Sequence, residues 1–162
     1  MIKNLSVLAA LLGIVILQTS ILPVHVSAPF KPDLLLIVTV YAALRSEAET
    51  GAPAAWLLGL LKDVFSGLYL GLNAFSFLVI FLVIKSVSDL LYAESGELFV
   101  VTVCAATVAC VSIDLLLLVM LTSTPGISYS MMAGLIPHLL VNAFVASLAT
   151  LLPLFSSPQE VV

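Results

Sequence analysis

From Leu98 to Leu121 the chain runs for 24 residues with Asp114 as its one charged side chain. At 1.5 Å per residue, a helix of that length reaches about 36 Å, enough to cross the roughly 30 Å hydrocarbon layer of a bilayer with some tilt. A soluble fold would have to wrap such a run in polar surface, and the remaining sequence does not supply it. Of 162 residues, 62% are apolar and 9% charged, with a mean hydropathy of +1.29, whereas about a quarter of the residues in an ordinary globular domain are charged. The charges also cluster between further apolar stretches, as expected when lipid is the solvent for most side chains.

Further helices are expected on the same grounds. The first, over 5–22, has 18 residues and would reach about 27 Å. Lys3 ahead of it and Val26-Ser27-Ala28 after it resemble a secretory signal, but Pro29 would directly follow the cut. An uncleaved first span is therefore the simpler reading. Pro23, Pro29 and Pro32 break the helix, and Pro32-Asp33 starts a second one, expected over 33–48, with the carboxylate near the positive end of the helix dipole. Its apolar part, Leu34 to Leu44, covers only about 17 Å. It either carries its charges to the interface through Ala48 and crosses, which is the expectation here, or lies buried among its neighbours.

A third helix is expected over 52–66, with Pro53 in its first turn and Gly67 at its end, and a fourth over 68–84, starting at about Leu68 or Asn73. A polar loop from Lys85 to Glu97 leads to the fifth, over 98–121. Thr122 to Ser130, with Pro125-Gly126, reads as a turn, and the sixth helix, over 131–155, carries Pro137 at an expected kink. The fold expected is a single all-α integral membrane domain, 1–162, built as a compact bundle of six transmembrane helices with the second one short. Lys3, Arg45 and Lys85 on one side against Lys31 and Lys62 on the other place both termini in the cytoplasm.

The net charge of −4 includes no basic run, which sets nucleic acid aside as a partner. Cys104 and Cys110 lie six apart in one apolar run, about 120° from each other around a helix, so they read as small packing residues rather than a bridge. Nothing in the chain has the spacing of a metal or cofactor site.

Gly51, Ala55, Gly59, Asp63, Gly67 and Gly71 recur at intervals of four, a ladder of small residues interrupted by one carboxylate. Small side chains at that spacing let helix backbones approach closely, either in ordinary internal packing or in a bundle organised around Asp63. Asp63, beside Lys62, either sits in water at the interface or points inward to accept hydrogen bonds from Ser66, Asn73 or backbone amides near Gly67. Asp114 is too deep in its run to snorkel and needs a partner. Thr107 and Cys104 lie on roughly its side of the helix. His138 and Asn142, four apart within the stripe Gly134, His138, Asn142 and Ala146, present one face of the sixth helix that would satisfy it.

Catalysis finds little support. There is no His-Glu-x-x-His and no Gly-x-Ser-x-Gly, and a set of Ser112, Asp114 and His138 lacks the helix phase to bring a nucleophile to a base.

Several stretches, in order, resemble the MreD family of bacterial rod shape-determining membrane proteins. Lys31-Pro32-Asp33-Leu34-Leu35-Leu36 is similar to the Pro-Asp-Leu start of that family's second helix. Gly59-Leu60-Leu61-Lys62-Asp63-Val64-Phe65-Ser66-Gly67 resembles its Gly-Leu-Leu-x-Asp segment, and Leu70-Gly71-Leu72-Asn73-Ala74 its Leu-Gly-Leu-Asn turn. Ile136-Pro137 and Val141-Asn142-Ala143 are similar to the Pro and Asn-Ala of its last helix. The resemblance covers about 17–155, and residues 90–124 carry no part of it, so Asp114 inherits no role.

The resemblance implies a non-enzymatic inner-membrane component of the cell-elongation machinery, without cofactor. It would partner the bitopic protein MreC and act with the actin-like MreB and the peptidoglycan synthases. The small-residue ladder and the apolar exterior would then offer membrane-embedded surfaces to a partner helix. The competing expectation is a solute-binding subunit of a vitamin-type importer, whose six-helix arrangement that family resembles. Ala9 and Gly13 are the only hint of the small-residue pairs such subunits use on their first helix.

Overall fold

The computed structural model describes residues 2–26, 30–66, 69–88, 96–121 and 127–151, with side chains omitted for 2–8 and 127–131. Helix α1 (Ile2–Ile16) continues without a break through a π-helical turn (Leu17–Ile21) into the short α2 (Leu22–His25), and Val26 then turns extended. There follow α3 (Leu34–Arg45), α4 (Ala48–Ser66), α5 (Leu72–Ser88), α6 (Gly96–Leu121) and α7 (Ile127–Thr150). Taking α1, the π turn and α2 as one rod, the described residues form six helical rods and no strand.

The core lies around α3. Asp33 caps it, accepting a hydrogen bond from the Leu36 amide, and Leu35, Leu36, Ile37, Thr39, Val40 and Ala43 are all buried. A helix apolar on every side belongs inside a bundle, and α3 packs against α4, α5 and α6 with Phe77, Phe81 and Val103 filling the space between. Tyr41 meets Phe99 edge to face, at 6.5 Å between ring centroids. The expected extension of this helix to Ala48 does not occur. The chain becomes extended at Ser46, and Ala48 already belongs to α4. Twelve residues reach only about 18 Å, so α3 is short and is buried among its neighbours.

Other boundaries move as well. α4 starts before Pro53, which is therefore inside the helix rather than in its first turn. The fourth expected helix begins at Leu72 and runs on to Ser88, and α7 begins at Ile127, inside the expected turn. Residues 89–95, 122–126 and the tail after 151 lie outside the described residues, as does Gly67.

Among the described residues, two helices are long and apolar enough to cross a membrane: α6, and α7 over Met132–Thr150, with mean hydropathies of 2.4 and 1.7. α3 and α5 are apolar but shorter, as is Ala9–His25, the part of the first rod whose side chains are described. On α7, Met132, Ile136, Leu140, Phe144 and Leu148 recur every four residues and are 48–68% exposed. A stripe of that kind faces lipid or another helix rather than water.

Candidate functional site

Most of the buried polar side chains gather toward the end of the bundle that carries residues 30–33 and 69–71, in three clusters. In the first, Asp63, only 3% exposed, caps α5 from the end of α4. One of its oxygens accepts from the backbone amide and side-chain amide of Asn73 (2.9 and 2.8 Å), the other from the amides of Gly71 and Ala74 (2.9 and 3.1 Å). Gly71 makes this possible. Its φ of +99° is open to glycine at little cost, and it turns the chain so that the free amides at the α5 N-terminus face the carboxylate. Of the donors expected for Asp63, the Asn73 side chain is used, the backbone donors are the amides of Gly71, Asn73 and Ala74, and the Ser66 hydroxyl instead donates to the Asp63 carbonyl.

The small residues of α4 allow that approach. Ala55 is fully buried, and a Cβ on Gly59 would stand 2.5 Å from the Ala74 Cα and the Asn73 carbonyl oxygen. One on Gly51 would run into the Phe81 ring. From Gly51 to Asp63 the ladder is thus the seam between α4 and α5. It is closed to a partner helix, contrary to the expectation that it offers a docking surface. Gly67 lies outside the described residues.

The second cluster is centred on Asp33 and joins five elements. Its Oδ2 takes the Lys62 ammonium of α4 at 2.5 Å, and its Oδ1 accepts from the Gln18 side chain of the π turn at 2.9 Å. Gln18 in turn accepts from the Leu35 amide at 2.8 Å, so two of the free amides at the start of α3 are satisfied by side chains. The Asp33 amide donates to Asn142 Oδ1 of α7 at 2.7 Å, and Asn142 Nδ2 donates to Thr107 Oγ1 of α6 at 3.1 Å. His138 Nδ1 lies 3.0 Å from the Lys31 carbonyl, and its Nε2 lies 3.4 Å from Asn142 Nδ2. One tautomer, protonated at Nδ1, serves both contacts. Lys62 also stands 5.0 Å above the Phe77 ring. A buried ion pair keeps its charges only when the remaining lone pairs are hydrogen-bonded, and Asp33 meets that condition on both oxygens.

In the third cluster, Ser76 of α5 donates to Asp114 Oδ1 at 2.5 Å and the Cys110 thiol lies 3.7 Å from Oδ2. The expected pairing of Asp114 with His138 or Asn142 is not made. The two helix faces do meet, but through Asn142 and Thr107, and Asp114 turns instead toward α5. Cys110, four residues before Asp114, shares its side of α6, which Cys104 does not. The Ser112 hydroxyl is exposed and donates to its own helix at the Val108 carbonyl, so Ser112, Asp114 and His138 do not converge.

Gln18 and Ser76 are residues that sequence reasoning left out, and Asp33 and Lys62 were named there without being paired. Gln18 had a signal, a long polar side chain within the first apolar run. Ser76 had none, because a serine in a membrane helix is unremarkable until its neighbour is known. Around Lys31, Asp33 and Lys62 the structure encloses a cavity of about 180 Å³, walled also by Gln18, Phe65 and His138.

What these clusters do chemically is fasten helices. Every buried side-chain nitrogen or oxygen among the described residues has a partner within the chain, and no group of three metal-ligating side chains occurs among them. No curated protein and no solved structure matches the chain. A family model does, that of the rod shape-determining protein MreD, over residues 1–156. Since the match takes in nearly the whole chain, this protein belongs to the MreD family, and its role lies in rod-shape determination.

Proposed function

We propose that the chain is a non-enzymatic scaffold of the bacterial cell-elongation machinery, crossing the inner membrane six times with both termini in the cytoplasm. In this reading it holds an MreC-like bitopic partner by its lipid-facing helix surfaces, within an assembly that includes MreB and the peptidoglycan synthases. The observation that carries the proposal is the division of labour between inside and outside. Buried polar groups are spent on helix-to-helix bonds within the chain, and α7 presents an outward row of Met132, Ile136, Leu140, Phe144 and Leu148. An assembly fixed internally in this way can hold a rigid apolar face toward a single transmembrane helix, where close van der Waals packing supplies the affinity.

α3, α4 and α5 fall short of the length or apolarity of an independent span, and the bundle itself accounts for how they cross. A short helix such as α3 is shielded by its neighbours, and Lys62 and Asp63 near the end of α4 are satisfied within the bundle, by Asp33 and by the start of α5, rather than exposed to lipid. Affinity purification of the tagged chain from mild detergent tests the reading. Recovery of a protein with one membrane helix and an outer soluble domain supports it. Recovery of an ATPase module with a bound vitamin would replace it with the importer-subunit reading.

A further inference from the structure

The cavity beside the Asp33 cluster has a charge balance that the fastening of helices does not use. Its lining includes two ammonium groups, Lys31 and Lys62, and one carboxylate, Asp33. Asp33 is fully engaged, with Lys62 on one oxygen and Gln18 and the Leu36 amide on the other. Lys62 therefore spends one of its three N–H donors and keeps two. Lys31 makes no ion pair among the described residues. Burial lowers its affinity for a proton below that of an ordinary lysine, Asp33 opposes that shift, and the Lys62 charge adds to it.

The lining hydroxyls are committed elsewhere. Thr19 donates to the Val15 carbonyl and Ser66 to the Asp63 carbonyl. His138 is engaged at Nδ1 by the Lys31 carbonyl. The donors left over are thus chiefly ammonium N–H groups, carrying one positive charge beyond what Asp33 neutralises. A ligand matching them needs a negative charge and several acceptor oxygens close together.

The position of the cavity narrows the class further. It lies where the π turn and the end of α4 meet the 31–33 connection, at the helix ends, which is the depth of lipid headgroups for a membrane-embedded bundle. Its rim is apolar and open, with Pro23 and Phe65 exposed and Ile21 and Val24 continuing the apolar surface along the first rod. About 180 Å³ holds a phosphate with a few attached atoms but not a nucleotide or a sugar chain. We propose that this cavity binds one negatively charged phosphate group, held by Lys31 and the free donors of Lys62.

The test uses the full chain in detergent. Retention of phosphatidylglycerol or of phosphatidylcholine is read by native mass spectrometry, and inorganic phosphate is titrated against thermal unfolding. The wild type is expected to retain phosphatidylglycerol over phosphatidylcholine or to be stabilised by inorganic phosphate. The first outcome assigns the group to a lipid headgroup and the second to a soluble phosphate.

Lys31→Ala should weaken whichever response is seen by about tenfold, the weight of one charge-assisted hydrogen bond, and Lys31→Arg should restore it. Because the Lys31 side chain fastens no helix, Lys31→Ala should unfold at the wild-type temperature without ligand. If it does not, Lys31→Gln, which keeps the stem and removes the charge, gives the same comparison. Equal responses of wild type and the uncharged Lys31 variants, equal retention of the two lipids with no phosphate effect, or no response to any probe would overturn the proposal. None of these outcomes bears on partner recovery.

Discussion

Lys62 and Asp33, 29 residues apart in the chain, meet at 2.5 Å and tie the C-terminal end of α4 to the first turn of α3, with the lysine side chain 24% exposed and the aspartate 4%. The pair closes the polar end of the bundle over the Phe77 ring. Removing one partner strands the other charge in a nearly dry site, which generally costs more than the pair contributes.

Lys62→Met should therefore destabilise the chain by about 3 kcal/mol, at the low end of the range for buried pairs because the lysine is partly exposed. The double variant Lys62→Met with Asp33→Asn should recover part of that loss. Thermal unfolding in detergent reads both, and additive losses would mean that the two side chains do not interact.

Asp63→Ala removes the acceptor for four donors at the start of α5. A loss of about 2–4 kcal/mol is expected, the scale for hydrogen bonds to a charged group left unpaired. Asp63→Asn should lose less, since the amide keeps one acceptor. In cells depending on this chain, Asp63→Ala is expected to give rounded cells. Wild-type stability and shape would remove the capping role.

The two glycines of the α4–α5 corner should behave differently. Gly71→Ala enters open space but strains a backbone at φ +99°, a cost of about 1–2 kcal/mol. Gly59→Leu drives a side chain into the α5 backbone, so it should separate the helices and abolish rod shape. Comparable unfolding temperatures for the two variants would contradict the seam placed here.

Ser76→Val replaces the hydroxyl bonded to Asp114 with a methyl of similar size and leaves a buried carboxylate with only a thiol beside it. A loss of about 1–3 kcal/mol follows from an unsatisfied buried acceptor. Ser76→Val combined with Asp114→Leu should be closer to wild type than Ser76→Val alone. Detergent unfolding distinguishes the two cases.

The helices were legible because lipid and core demand long apolar runs, and Leu98 to Leu121 could be little else. Asp63 was legible in part because Gly71 and Asn73 follow it by only eight and ten residues, so its partners are nearly local. The Asp33 cluster was not. It joins residues 15, 29 and 109 positions apart, and only the packing of the rods brings Gln18, Lys62 and Asn142 to one carboxylate. Asp114 shows the same limit from the other side. Helix phase found the α6 face that meets α7, but no periodicity tells which of two neighbouring helices a buried carboxylate turns to. The short α3 carried two readings, and the structure shows it both short and buried among its neighbours.

Reporter fusions placed between residues 89 and 95, after Val162 and near residue 28 measure the six crossings on which this arrangement rests. Cytoplasmic signals at the first two sites and an external signal at the third are expected. An external signal after Val162 would mean an odd number of crossings, and the polar end of the bundle would then no longer have one side of the membrane to face.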